Sequence, residues 1–503
     1  MTRGTGRRSP LALLLAVAAG CLWAACFRAH ALVVAPWAAL APTLTLLWAQ
    51  RPVRLTFLAG VAYWCAALWW IVPTLVTYGP LALWWAIPAL LLLATVLAGY
   101  WALFAWMAVP LWRRGALWGL AGAPAAWVVC EWLRGWVLGG FPWNLAAYSW
   151  LEVPGARALS AWIGAYGVSA VVVLVNAGVA IALARRSWWT AAAVASSVLV
   201  LLAVSARWAG SDDSRAAGSL HPVRVIQPNV PNRTTWDPVL AEEDYQRLLR
   251  LSHEACDRPA LLIWPESAAF PMSWQTHERL RGNVRTLAER GCPVLLNSPW
   301  SEPDGYRNSV FVIGPDGPTG RYDKRHLVPF GEYVPGWAPI GETLARNIGS
   351  FVPGREPTLL PWAGEELGVA VCYEIVFPTE VAATVQRGAT MLVTVTNDAW
   401  YGDTAAPWQH LAAARFRAAE LHRPVLRAAI TGVSAIVDAR GGLQAVLGVG
   451  EEGVLRGDVP GRSERTLYSR APRAPVWASG VLWLGLVAAS RAGSDTLRRR
   501  RRR

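Results

Sequence analysis

Two regimes of hydrophobic patterning divide this chain. As far as about residue 208 the apolar residues run in long blocks, at 10–27, 31–49, 55–76, 81–109, 116–134, 161–184 and 188–208. Each block comes near the roughly 20 residues that a helix needs to cross a bilayer. Another such block lies at 475–490. Between them the pattern changes. Residues 209–219 are polar and small, as a linker is. After them come short β-branched runs: Val223–Ile226, Leu261–Ile263, Val294–Leu296, Val310–Ile313, Val369–Val371 and Met391–Val395. Turn residues bound these runs, and helical spacing fills Ser273–Arg290 and Thr404–Leu421. Strands alternating with helices predict a layered α/β domain. The expected organisation is therefore a multi-span α-helical membrane domain over 1–208 with seven transmembrane helices. An α/β domain over 220–465, a last span over 475–490 and a basic tail over 491–503 follow it.

Charge adds direction to this picture. The net charge is +14, which alone would admit a nucleic-acid partner. Its distribution excludes that reading. Residues 1–208 hold 13 arginines against two acids, and residues 471–503 hold eight arginines against Asp495. The middle, 209–470, is left with 26 basic and 30 acidic residues. The positive excess sits wholly beside the hydrophobic blocks, the pattern of a topology signal rather than of a nucleic-acid face. Arg3, Arg7 and Arg8, then Arg51 and Arg54, Arg113 and Arg114, Arg185 and Arg186, and finally Arg498–Arg503 occupy alternate connections. Arginine-rich connections stay cytoplasmic. Both termini are thus expected inside and the α/β domain on the far, extracytoplasmic side.

The outer connection 135–160 contains Gly140-Phe141-Pro142-Trp143, with Trp150 and Trp162 nearby. Such tryptophans form either an interfacial belt or a lip for entering lipid; alone they favour the belt. Glu131 and Arg134, at the outer end of the fifth block, read as a mutual pair or as a headgroup contact. Four of the seven cysteines lie in apolar blocks and read as small hydrophobes. No CxxC or Cys/His metal spacing occurs, so no metal or organic cofactor is implied. Cys256 and Cys292 are able to pair if the middle domain lies outside the cytosol.

The candidate chemistry lies at the ends of predicted strands, where α/β sheets carry their reactive groups. Leu261–Ile263 runs into Trp264-Pro265-Glu266, and Val369–Val371 runs into Cys372-Tyr373-Glu374. Between them stands Lys324, the one lysine in a chain with 47 basic side chains. A compact ammonium fits beside a reacting atom where a broad guanidinium does not. A carboxylate, an ammonium and a thiol are what acyl transfer through a thioester requires. The thiol attacks, the carboxylate takes its proton, and the ammonium meets the developing oxyanion. Cys372 suits the nucleophile and Glu266 the base. Lys324 suits the oxyanion stabiliser, helped by the Tyr373 N–H. Taken singly, Cys372 reads as a buried core thiol and Glu266 as a loop carboxylate.

These residues resemble the nitrilase-like carbon–nitrogen hydrolases, whose triad is Glu, Lys and Cys. The narrower resemblance, over most of the chain, is to the apolipoprotein N-acyltransferases. It is carried by GFPW at 140–143, QPNV followed by Trp236, WPES at 264–267, KRHLVPFGEYVP at 324–335, CYEIVFP at 372–378 and TNDAWYGDTAAPWQH at 396–410. Asn232 and Thr235 depart from the Gln and Lys more usual in that family. The resemblance implies an α-β-β-α sandwich in a bacterial inner-membrane enzyme, with the catalytic domain periplasmic. It implies a phospholipid acyl donor and a diacylglyceryl-lipoprotein acceptor. It makes Glu332 a supporting carboxylate and lets Trp236, Tyr373 and Glu374 line the site. A membrane-tethered amidase that hydrolyses its thioester is the alternative within the superfamily. A transporter with an external domain fits less well, because the spans carry little charge.

Overall fold

The computed structural model describes residues 10–28, 33–79, 81–186, 188–211, 219–231, 237–336 and 351–501. It divides into two compact units. One contains residues 1–76, 80–207 and 473–503; the other contains 77–79 and 208–472.

The first unit is helical. Its longer helices are α1 (Pro10–Ala25), α2 (Pro52–Ala67), α3 (Ile71–Thr77), α4 (Leu83–Trp112), α5 (Ala116–Arg134), α6 (Pro154–Arg185) and α7 (Trp188–Ser211). The C-terminal helix, α12 (Ala474–Arg501), returns to this unit, where Trp477 packs beside Trp132 of α5 with ring centroids 6.2 Å apart. Among the described residues four helices, α4 to α7, are long and apolar enough to cross a membrane. There are five if α2 and α3, which meet at a 51° bend, form one broken span.

The eight expected spans therefore need correction at one place above all. The block 31–49 is not a continuous helix where it is described. It forms a short 3-10 turn at Ala35–Trp37, five helical residues at Ala41–Thr45, and a second 3-10 turn at Leu46–Trp48. Pro36 and Pro42 each remove a backbone donor and interrupt the helix. A broken backbone in an apolar setting needs other partners, and Asn176 of α6 supplies them. Its Oδ1 accepts from Leu40 N at 2.9 Å and Ala41 N at 3.0 Å, while its Nδ2 donates to Pro36 O at 3.0 Å.

The second expectation to change concerns the tryptophan-rich connection. Trp143 and Trp150 are buried inside the helical unit rather than displayed as a belt or lip. Trp150 stacks on Trp37 at 4.4 Å, and Trp143 lies 5.5 Å from Trp70. Arg134 donates to Phe141 O and Trp143 O, both at 2.6 Å, and Glu131 accepts from Ala146 N at 2.8 Å. The two residues brace this connection from within.

The second unit is built on two six-stranded sheets. The first has the order β12-β1-β2-β3-β4-β5, and the second β11-β10-β9-β8-β7-β6. The first-sheet strands are β1 (Leu220–Gln227), β2 (Leu261–Ile263), β3 (Val294–Glu302), β4 (Gly305–Gly314), β5 (Gly317–Asp323) and β12 (Gly453–Pro460). The second-sheet strands are β6 (Leu359–Trp362), β7 (Glu365–Val371), β8 (Met391–Thr396), β9 (Val425–Ala429), β10 (Ser434–Val437) and β11 (Leu443–Leu447). In each sheet three central strands are parallel, β1-β2-β3 and β7-β8-β9.

Period-two alternation sorts the side chains. Val223, Val225, Ile263 and Val310 meet Val369, Val371, Val393 and Val395 in one core between the sheets. Ile226, Leu262, Leu296 and Phe311 point the other way, into a core with α8 (Pro238–Ala255) and α9 (Glu278–Glu289). On the second sheet, α10 (Pro378–Gln386) and α11 (Ala406–Leu421) cover the outer face. The result is the expected α-β-β-α sandwich. Helix α8 starts at a capped terminus. Asp237 caps it by accepting from Val239 N at 2.8 Å, and Pro238 takes the first helical position. Cys256, just past α8, is joined to Cys292, just before β3, in a disulfide.

Candidate active site

The sandwich brings the three strand-end residues together. Glu266 lies three residues past β2, Lys324 follows β5 directly, and Cys372 follows β7 directly. All three are buried. Lys324 Nζ lies 2.9 Å from Glu332 and 3.6 Å from Glu266 Oε1. Burial alone would pull this ammonium's pKa down. The carboxylates of Glu266 and Glu332 outweigh burial and leave it above the ordinary lysine value. The two carboxylates thus favour the charged form of Lys324.

The carboxylates are held in turn. Asn308 of β4 donates its Nδ2 to Glu266 Oε1 and to Glu332 Oε1, both at 3.0 Å. Asn397 N donates to Glu266 Oε2 at 2.9 Å, and Val328 N donates to Glu332 Oε2 at 2.8 Å. The lysine's own backbone is pinned on both sides, with its N–H on Asn308 O and its carbonyl accepting from Gly354 N, each at 2.8 Å.

Cys372 stands at φ 51°, in the left-handed region that a non-glycine residue rarely occupies. It opens a 3-10 turn, Cys372–Val376. Burial pushes its thiol pKa up, Glu266 adds to this, and Lys324 pulls in the opposite direction. Burial and Glu266 thus both favour the protonated thiol. Glu266 and Asp398 on one side and Lys324 on the other are charges that act on it.

The remaining expected residues divide. Glu332 joins the site through Lys324. Tyr373 is buried beside Phe377, 5.1 Å between ring centroids, with His326 stacked on Phe377 at 3.7 Å. Glu374 is a scaffold carboxylate. It accepts from Tyr322 OH at 2.8 Å, Arg325 N at 2.8 Å, His326 N at 3.1 Å and Val371 N at 2.7 Å. It thus ties the loop after Lys324 to the strand before Cys372, and burial raises its pKa. Trp236, with Asn232 and Thr235, lies outside the described residues.

Sequence reasoning missed Asn308, which bridges the two carboxylates from a strand position with no distinguishing neighbour. It also gave no roles to Asp398 and His410, although both lie in the TNDAWYGDTAAPWQH string. They form a wholly buried cluster with Arg427. Burial tends to raise the Asp398 pKa, but Arg427 and His410 overcome this and hold it at about 2.

Similarity to known proteins extends over nearly the whole chain. Residues 19–178 match the apolipoprotein N-acyltransferase N-terminal domain, and residues 223–467 match the carbon-nitrogen hydrolase family. An apolipoprotein N-acyltransferase of Geobacter metallireducens is 34% identical over 487 residues, covering 92% of each chain. The chain belongs to the apolipoprotein N-acyltransferase family. Another member, from Ralstonia nicotianae, is 34% identical over 86% of this chain and 84% of its own. Among solved structures, a nitrilase-superfamily amidase from Nesterenkonia covers 52% of this chain and 97% of its own, with 23% identity and a TM-score of 0.39. Family membership makes this an acyl-transferring enzyme of the carbon–nitrogen hydrolase superfamily, with a helical membrane unit.

Proposed function

We propose that the enzyme moves a fatty acyl chain from a phospholipid onto Cys372 and then onto the α-amino group of a lipoprotein's N-terminal diacylglyceryl-cysteine. Glu266 takes the thiol proton as sulfur attacks the ester carbonyl. Lys324 faces the oxyanion that forms. Collapse of the tetrahedral species breaks the ester C–O bond, and the leaving lysophospholipid oxygen receives the proton from Glu266. The acceptor amine then attacks the thioester and passes a proton to Glu266, and the returning thiolate recovers it. The observation that carries this reading is the buried Lys324 ammonium, set between Glu266 and Glu332. Glu332 and Asn308 position the lysine and the base, and Tyr373 lines the substrate path.

The catalytic unit is placed on the periplasmic side. The alternating arginine connections support this. So does the Cys256–Cys292 disulfide, because such bridges persist in oxidising compartments. Both lipids are then presented at the outer surface of the bacterial inner membrane. The test is incubation of purified enzyme with phospholipid alone. Acyl-enzyme is expected to accumulate and to discharge only when an amine acceptor is added. Steady release of free fatty acid without acceptor would instead establish a hydrolase.

A further inference from the structure

We infer that His410 is a positioning residue that aims the Tyr373 N–H at the oxyanion by holding the Cys372 carbonyl from behind. The inference rests on the proposed acyl transfer through Cys372. Its starting point is the left-handed backbone at Cys372, a conformation that persists only where the surroundings impose it. The turn is gripped on both sides of that residue. Before it, Val371 N donates to Glu374 Oε2 at 2.7 Å. After it, His410 Nε2 lies 3.0 Å from Cys372 O. A carbonyl only accepts, so Nε2 carries the proton.

Helix α11 supplies this grip as a face. Arg417, seven residues on from His410 and therefore on the same side of the helix, reaches Ile375 O at 3.4 Å and Val376 O at 3.5 Å. The imidazole itself is clamped. Its Nδ1 lies 3.1 Å from Asp398 Oδ1 and 3.2 Å from Arg427 Nη2. Asp398 is fixed by Thr396 Oγ1 at 2.6 Å and by Arg427. Gly432 packs so tightly here that a Cβ at that position would meet Asp398 Cβ at 2.4 Å. None of His410, Asp398 or Arg427 is exposed beyond 1%.

The consequence follows from peptide geometry. The Cys372–Tyr373 bond is trans, so Cys372 C=O and Tyr373 N–H lie in one plane and point in opposite directions. With the carbonyl held toward α11, the N–H is directed to the other side of the turn. Helix α11 covers the outer face of the second sheet, whereas Cys372 joins the core between the sheets. The opposite side is therefore the one from which the first sheet presents Glu266 and Lys324.

The experiment separates the oxyanion from the nucleophile. Wild type and His410→Leu are compared in acyl-enzyme formation from phospholipid and in alkylation of Cys372 by iodoacetamide. Alkylation attacks a saturated carbon and builds no oxyanion. Loss of one oxyanion donor costs about 10²–10³ in rate. Acylation of His410→Leu is expected to fall by that factor, with alkylation within about threefold of wild type, a difference far smaller than the loss of such a donor. His410→Gln, whose amide can reach the same carbonyl, is expected to recover most of the acylation. Acylation of His410→Leu within threefold of wild type would overturn the inference, as would alkylation falling in parallel. If His410→Leu does not fold, His410→Asn takes its place against His410→Gln, since the shorter amide falls short of the carbonyl. Equal acylation by those two variants overturns the inference as well. Failure of wild type to form any acyl-enzyme would instead remove the acyl-transfer reading on which it rests.

Discussion

The ammonium of Lys324 sits closer to Glu332, at 2.9 Å, than to Glu266, at 3.6 Å. The asymmetry gives the two carboxylates different work. Glu332 is the lysine's closer partner, and in the proposed mechanism Glu266 is the carboxylate that receives the thiol proton. Neutralising Glu332 removes the lysine's closer partner and leaves Glu266 as its remaining carboxylate. Glu332→Gln is expected to slow acyl-enzyme formation at least roughly tenfold, a fraction of the 10²–10⁴ that a general base supplies. Single-turnover acylation at equal protein levels measures it, and an unchanged rate would assign Glu332 to packing alone.

Lys324→Arg keeps the charge and changes its shape. A surface lysine would tolerate the swap. Lys324 is buried, and a planar guanidinium cannot place its charge where a compact ammonium sat. The expected loss in acylation is at least about 10²–10³, as for removal of an oxyanion donor. The same single-turnover assay reads it, and a rate within threefold of wild type removes Lys324 from the chemistry.

Much of this site was legible because sheet periodicity is local. Short apolar runs at Val223–Ile226 and Leu261–Ile263 predict strands, and the polar residues that end them fall at the sheet's reactive edge. Asn308 was not legible, since its partners Glu266 and Glu332 lie 42 and 24 residues away. Nor was the break in 31–49. A hydropathy pattern sums side chains, and the backbone groups left open beside Pro36 and Pro42 are met by Asn176, some 140 residues further on. Trp143 and Trp150 misled for a related reason. A tryptophan at a membrane edge and one buried in a helical unit read alike in a sequence.

Acid stability should report on the buried Asp398. Its carboxyl is held at about 2 in the folded enzyme, below its ordinary 3.8. A depressed carboxylate contributes stability above the unfolded pKa and loses it as pH falls through the folded one. The contribution is therefore complete above about pH 4 and fades toward pH 2. Asp398→Asn is expected to be less stable than wild type at pH 6, with the gap closing between pH 4 and pH 2. Denaturant unfolding of the detergent-solubilised enzyme at those pH values checks this. A gap that does not vary with pH would mean that the charge is not what matters.

The disulfide predicts a separation of stability from activity. Cys256 and Cys292 close a loop across a separation of 36 residues, away from Cys372. The double Ser variant is expected to lose about 2–4 kcal/mol of stability. Its acylation rate should stay within about threefold of wild type, as for substitutions remote from a site. Thiol counting of the denatured, unreduced protein should find five free cysteines, the number left outside the bridge. Seven would show that the bridge does not form.

Topology follows from the arginine-bearing connections. A reporter fused after Arg186 should report the cytoplasm, and one fused after Ala209 the periplasm. Cytoplasmic signals from both fusions would put the thiol on the wrong side of the membrane for its proposed acceptor.

The central claim is a covalent acyl chain on Cys372, and intact mass with peptide mapping tests it most directly. After incubation with phospholipid and no acceptor, wild type should carry one acyl adduct, mapped to Cys372 and removed by hydroxylamine. Cys372→Ala should carry none. An adduct on another residue, or acyl transfer that continues in Cys372→Ala, would contradict the account.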